Sequence, residues 1–536
     1  MKQALPYVLA VGVTGAVCFF GVEPIGRDDS HFWRMVLAGV SIGLLWILWW
    51  VRRNNADGRA LTAVRVALVA ACTMGWFNYF QFDRDVLLGI NDYTDSSYYY
   101  TNSKYLKELS YTGLYSSALL CDRERGSPRT KEIRQVRDLR DYELVSVPQA
   151  LRHGEQVKAD FSAARWAAYC HDITFFMDRL SRKALRTNWF VDHGYNPPPT
   201  WSLLGGNLAT LLPVEHLKAA CSVDAVLVLA MFIAIAWAFG VDVTLLAMLF
   251  WVTTFSGRWP ILGQAILRFD WVVALVAAVA FLKKDRPASA GAAFAFAACN
   301  RVFPAIFFLG WGLTFLFDLV QERRVSRRHA RFLTAAAVVT VMMSGAALLQ
   351  YGPDTLRRSA ENLRMHNETY SSHRVGLGDV LVYRGERDRD DIRASCMELD
   401  HGTECGIYGK ELKIRTWQWR LRFAGLLAIG FVGLYAWRTR EADWELIGLA
   451  VLPFFCMTNP QINYYNLRVL LFMWHGAHLD KPAHRGLMSL LLLVEVATQA
   501  TKVVGVERYL TTTTTSYGML LYLVVLCAWM VRRMLR

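Results

Sequence analysis

The sequence predicts an all-α polytopic membrane protein whose first large loop lies outside the membrane and is itself helical. Three observations carry that reading. Hydrophobic residues make up 54% of the 536 residues and charged ones only 19%, whereas soluble domains average roughly 45–50% apolar and 25% charged. The apolar residues fall in blocks of roughly 15–23, the length that crosses about 30 Å of hydrocarbon. Basic residues gather in short connections between those blocks. A soluble multidomain enzyme is excluded by this composition, and so is a disordered chain.

Taken in order, apolar spans are expected at 5–22, 33–51 and 61–79, then at 222–239, 243–255, 262–282, 332–350, 423–437, 446–457, 467–474, 487–500 and 519–531. The first is not a cleaved signal peptide: only Lys2 supplies a basic n-region, and a second span follows closely. Arg52-Arg53, Lys283-Lys284-Asp285-Arg286, Arg323-Arg324 with Arg327-Arg328, and Arg532-Arg533 mark cytoplasmic connections. Both termini then lie inside, and segments 81–201 and 351–416 lie outside. The chain divides into membrane helices 1–80, an outer block 81–201, central helices 202–350, a second outer loop 351–416 and C-terminal helices 417–536. The net charge of +14 is a topology signal of this kind, and no nucleic-acid partner is expected.

Segment 288–320 is about 50 Å long as one straight helix, too long for a single crossing between two cytoplasmic flanks. A helical hairpin is expected instead, broken near Asn300-Arg301-Val302-Phe303-Pro304, where proline removes a backbone donor. The short Gly-rich run 201–212 reads as an interfacial or re-entrant helix.

Of ten cysteines, Cys18, Cys72, Cys221, Cys299, Cys456 and Cys527 fall in or at apolar spans, where cysteine is a small core residue. Among Cys121, Cys170, Cys396 and Cys405, the last two are near in sequence and suited to pairing in an oxidising compartment. Ligand spacings for zinc are missing, so no metal and no cofactor is expected.

The outer block holds the chemistry. Asp92 and Asp95 follow soon after a membrane span, and Asp95-Ser96-Ser97 reads as a helix start capped by Asp95. Tyr98, Tyr105 and Leu109 would share its apolar face. A carboxylate at the bilayer lip can take a proton from an acceptor hydroxyl while a lipid-linked leaving group stays in the membrane. Trp166, Tyr169, Cys170, Ile173, Phe176, Met177 and Leu180 recur at helical spacing as a packing stripe, with His171 and Asp172 on the surface beside it.

At these residues the chain resembles the GT-C superfamily of integral-membrane glycosyltransferases, and within it the bacterial polyprenyl-phosphate-mannose-dependent transferases. Asp95 and Tyr99 match the family's acidic-residue-to-tyrosine spacing. Tyr111-Thr112-Gly113-Leu114-Tyr115 matches the turn that follows, and Tyr195-Asn196-Pro197-Pro198 resembles the stretch before the next membrane segment. The acidic loop follows the third expected span here, where the family places it after the first.

The resemblance implies a GT-C-like helix bundle in a bacterial inner membrane, transferring a hexose from a polyprenyl-phosphate-sugar donor to a lipid or glycan acceptor. It makes Asp95 the candidate base with Asp92 in reserve, and Tyr99 and Asn196 candidate substrate contacts. Arg268, Arg301 and Arg468 then fall on the same side of the membrane as Asp95, where guanidinium forks suit a phosphate. His366 and Arg374 of the second outer loop are further candidates for that phosphate. Pairing of Arg268 with Asp270 is the competing reading for that arginine. The rival functions are a transporter or flippase for a lipid-linked glycan and a non-catalytic membrane assembly protein.

Overall fold

The computed structural model describes residues 4–54, 58–89, 93–126, 129–259, 265–369, 373–385, 405–506 and 508–536, without the side chains of 367, 368, 405–409 and 508. Among them, eight helices are long and apolar enough to cross a membrane: Arg27–Arg53, Gly58–Tyr79, Val214–Phe239, Phe303–Glu322, Arg327–Tyr351, Lys410–Thr439, Pro482–Val503 and Tyr509–Met534. Their outward faces carry exposed Val226, Ile233, Val341, Leu349 and Val524. In water such faces would be costly, and against lipid they are matched. The protein is an all-α polytopic membrane protein in this sense.

Several expected spans are shorter than the apolar runs that suggested them. Run 262–282 yields the 14-residue helix Asp270–Lys283, with 260–264 outside the described residues. Run 446–457 splits into Asp443–Leu449 and Val451–Met457, seven residues each. Run 467–474 becomes a 3₁₀ turn, Ile462–Arg468, leading into the eight-residue Val469–Gly476. Every residue of Val469–Gly476 is buried. A helix apolar on all sides belongs either to lipid or to a protein core, and here the core claims it. Breaks in the backbone at this depth are tolerated because protein surrounds them.

The hairpin is present. Helix Pro287–Asn300 ends at Arg301, a 3₁₀ turn covers Phe303–Phe307, and Phe308–Glu322 returns. The phenyl rings of Phe294 and Phe308 stand 5.4 Å apart, which places the two arms side by side. Helix Arg327–Tyr351 then runs parallel to the first arm, since Gly291 faces Phe332 and Cys299 faces Thr340. Gly291 lies so close to the Phe332 carbonyl that a Cβ would collide with it. Small residues at that seam allow the approach.

The outer block has its own aromatic core, in which Tyr98, Tyr105, Tyr115, Tyr169, Trp189 and Trp201 are buried. Helix Ala163–Arg179 starts at Ser162, whose hydroxyl accepts the Arg165 backbone N–H at 3.3 Å. It buries Trp166, Tyr169, Ile173, Phe176 and Met177 of the stripe read from the sequence. His171 is exposed and meets Glu215 at 2.8 Å. Asp172 is not a surface residue: it is buried, paired with Lys104 at 2.8 Å and accepting the Tyr105 hydroxyl at 2.8 Å. A two-stranded antiparallel ribbon, Gln135–Arg137 with Leu144–Ser146, departs from the all-helical expectation. Three-residue strands are too short to show an alternating pattern.

Cys121 and Cys170 form a disulfide, tying helix Leu114–Glu124 to helix Ala163–Arg179. Pairing was expected between Cys396 and Cys405, of which Cys396 and the Cys405 side chain lie outside the described residues. The cysteines that pair are distant in sequence and adjacent only because two helices pack.

Candidate active site

Asp95 lies inside the short helix Tyr93–Ser97, which passes into a π-helical turn at Tyr98–Asn102. It is therefore not the helix cap that its position after a loop suggested. Its carboxylate Oδ2 stands 3.0 Å from Arg268 Nη2, and its side chain keeps 30% of its exposure. Asp270, the expected partner of Arg268, is engaged elsewhere: it accepts the Trp271 backbone N–H and the Asn300 side-chain amide, both at 2.8 Å. Asp92 lies outside the described residues.

Tyr99 stands one turn beyond Asp95, and two guanidiniums lie over its ring. Arg268 is 4.4 Å from the ring centroid and Arg301 is 5.7 Å. Arg301 also lies 5.4 Å from the Trp201 ring. Cations held over aromatic faces keep favourable electrostatics where water is excluded. Burial outweighs both cations at the Tyr99 hydroxyl and pushes it up to about 12, so it stays a neutral phenol.

The backbone aims both arginines. Asp224, on the Val214–Phe239 helix, accepts the backbone N–H groups of Arg268 and Phe269 at 2.9 and 3.0 Å. That clamp fixes the loop just after Leu267, a non-glycine residue with φ of 51°. Arg301 sits at the hairpin turn and donates to the Asn300 carbonyl at 3.0 Å. Asp270 in turn holds the Asn300 side chain, so one carboxylate steadies the turn that carries Arg301. Among the described residues no carboxylate lies within 4 Å of the Arg301 guanidinium.

Arg268, Arg301, Trp271, Asn463, Tyr464 and Asn466 line one opening. The amide oxygens of Asn463 and Asn466 and the Nε of Arg301 are buried with no hydrogen-bond partner among the described residues. Polar atoms left in that state are uncommon and point to a polar ligand or water. Sequence reasoning passed over Asn463 and Asn466 in favour of Arg468. The signal was present: asparagines in an apolar run carry the same cost as other polar groups in a membrane.

Arg468 points away from this opening. It is fully buried with Glu495, its Nη2 2.6 Å from Glu495 Oε1, and it also donates to Thr254 and Ser256 hydroxyls at 3.0 and 2.9 Å. Its guanidinium belongs to an internal ion pair.

A second cluster involves Asn196, His366 and Arg374. The Asn196 amide meets His366 Nε2 at 3.1 Å. Burial, with Arg374 adding repulsion, lowers the His366 imidazole to about 3 and keeps it neutral. Arg374 donates to the carbonyls of His366 and Asn459, at 2.9 and 2.8 Å, and so clamps the chain. Asp192 is nearby; enclosure by the protein, and then the negative charge of Asp95, push its carboxyl up to about 6. Tyr195 connects the clusters, its ring 6.2 Å from Tyr99 and 5.8 Å from Tyr111. Tyr111 donates its hydroxyl to the Pro197 carbonyl at 2.9 Å. Stretches 111–115 and 195–198 thus touch each other and adjoin Tyr99.

The structure brings together Asp95, Tyr99, Arg268 and Arg301, sets Asn196, His366 and Arg374 beside them as a second group, and separates Arg468. No protein-family model, curated protein or solved structure matches the chain. The functional reading therefore rests on the site itself.

Proposed function

We propose that the protein is a GT-C-type membrane glycosyltransferase that moves a hexose from a polyprenyl-phosphate donor to an acceptor hydroxyl on the extracytoplasmic face. The observation that carries this reading is the Asp95–Arg268 pair lying against Tyr99, with Arg301 beside it and, among the described residues, no carboxylate within 4 Å of the Arg301 guanidinium. Two cations at one opening, with a carboxylate paired to one of them, match what displacement at a sugar phosphate demands.

In the reaction, the acceptor oxygen forms a bond to the sugar's anomeric carbon as the bond from that carbon to the phosphate oxygen breaks. The electron pair leaves on the polyprenyl phosphate, whose charge Arg268 and Arg301 take up. The acceptor proton passes to Asp95. Before the donor arrives, Arg268 neutralises Asp95. A phosphate competes for that guanidinium and releases the carboxylate to act as base, so activation of the base follows donor binding. Tyr99 stays neutral and supports both cations through its ring.

Bacterial inner-membrane residence, termini in the cytoplasm and the outer block outside complete the proposal. The Cys121–Cys170 disulfide supports that orientation, because such bonds persist in oxidising compartments. The acceptor, a lipid or a glycan, would enter between the outer block and the membrane helices, past Asn196 and His366.

The test is transfer of radiolabelled hexose from a synthetic polyprenyl-phosphate donor by purified protein in lipid nanodiscs. Turnover that disappears in Asp95→Asn supports the proposal. Binding or transbilayer movement of donor without turnover would replace it with the flippase reading.

A further inference from the structure

A second site lies at the far end of the helices that lead to Asp95. Helices Arg27–Arg53 and Gly58–Tyr79 are antiparallel, since Ser30 donates to the Asn78 carbonyl at 3.3 Å. Arg65 is about 20 Å along the axis from Asn78, and there a cavity of about 1410 Å³ opens. Tyr7, Trp49, Arg52, Arg53, Arg65 and Asp242 stand in its wall.

The charges there do not cancel. Arg65 grips Asp242 through Nε at 2.7 Å and Nη2 at 3.0 Å. Arg52 reaches the same carboxylate only at 3.7 Å. Arg53 lies 5.4 Å over the Trp49 ring, with no carboxylate within 4 Å among the described residues. Asp480 adds a carboxylate at the exposed rim, so among the described lining residues three guanidiniums face two acids. The cavity is larger than the roughly 300–1,000 Å³ typical of small-molecule pockets. Pro6 and Tyr7 bring the start of helix Leu5–Gly21 into its wall, and that helix runs on beside Gly58–Tyr79 with Gly15 near Phe77. That helix exposes Val8, Val11 and Phe19.

We propose that this cavity binds one anionic phospholipid, with the headgroup phosphate between Arg52 and Arg53 and the acyl chains along the Leu5–Gly21 helix. Aromatic residues and arginines at a helix end mark the headgroup level of a bilayer. The apolar wall beyond them fits chains, which a soluble phosphate ester lacks. The site is separate from Asp95 and independent of the transferase reading.

Native mass spectrometry of the purified full chain tests it, with palmitoyl-oleoyl phosphatidylglycerol and the phosphatidylcholine analogue as probes. Phosphatidylglycerol should bind preferentially. Arg53→Gln, which breaks no ion pair, should weaken it about fivefold, and Arg52→Gln with Arg53→Gln about thirtyfold, to the phosphatidylcholine level. Glycerol 3-phosphate in excess should not displace the lipid. Unchanged binding in Arg53→Gln of normal melting temperature would overturn the proposal. Displacement by glycerol 3-phosphate would overturn it equally, since the ligand would then be a soluble phosphate.

Discussion

Asp95 and Arg268 meet at 3.0 Å although one belongs to the outer block and the other to the loop before a buried membrane-domain helix. The contact defines where the two parts of the molecule converge, and the first predictions follow from it.

Asp95→Asn keeps the side chain's size and its ability to accept a hydrogen bond from Arg268, but removes its basicity. Transfer should fall by about 10²–10⁴-fold, with expression and melting temperature close to wild type. Asp92→Asn should reduce transfer less. Near-normal turnover in Asp95→Asn, measured by product formation, would remove Asp95 as the base. Full activity in the double variant would remove the transferase reading of this loop.

Arg268→Lys should fail to substitute for the planar fork that faces both Asp95 and a phosphate. Losing one charge-assisted hydrogen bond predicts an increase in donor KM of about ten- to hundredfold. Steady-state kinetics at varied donor concentration decide this; an unchanged KM would place the phosphate elsewhere.

Arg468→Gln should act on stability rather than on donor binding. Glu495 would be left buried without its cation, a change that costs about 3–5 kcal/mol. Arg301→Gln, whose guanidinium has no carboxylate within 4 Å among the described residues, should melt closer to wild type. Thermal unfolding in detergent compares the two, and equal melting temperatures would refute the distinction.

Cys121→Ser should destabilise the outer block by about 2–4 kcal/mol by releasing the link between its two helices. In the wild-type protein, Cys121 and Cys170 should resist maleimide labelling until a reductant is added. Labelling of either thiol without reductant would show that the bond does not form in the cell.

Asp192 supplies a pH dependence with a definite sign. Its carboxyl is raised from an ordinary 3.8 to about 6 by enclosure and by Asp95, so the folded state favours the protonated acid. That contribution to stability is complete below pH 4 and is lost as pH rises to about 6. Asp192→Asn should therefore match the wild-type melting temperature near pH 4 and exceed it above pH 6. A difference that did not grow across that window would show that Asp192 titrates normally.

Much of the membrane architecture was legible because lipid leaves helices no choice but apolar faces: the spans at 33–51 and 61–79 and the break at Asn300–Pro304 appear where apolar run length and proline placed them, and the Trp166–Met177 stripe where periodicity did, while run 5–22 yields only the 17-residue helix Leu5–Gly21. Runs 446–457 and 467–474 were misjudged because a helix buried on every side has the same composition as one in lipid. At the site, Arg268 and Arg301 could be named from charge at membrane depth, and Tyr99 only from its spacing to Asp95. Arg468 carried the same signal, yet its fate depended on Glu495, and no local pattern reveals which buried acid a distant helix will present. Asp224 and the Cys121–Cys170 pair were invisible for the same reason: their roles exist only once separate helices have packed.

Asp224 reaches from a membrane helix to hold the backbone beside Arg268, and Arg268 reaches on to Asp95. The acid–cation pair is thus assembled across a seam, with the acid supplied from one side and its cation from the other. Segment 81–201 produced alone as a soluble fragment would carry its tyrosine-rich interior and its disulfide, yet Asp95 would face plain water with no guanidinium beside it. Dissection by fragments would discard the very group it set out to isolate, and only the intact chain in a bilayer can report on it.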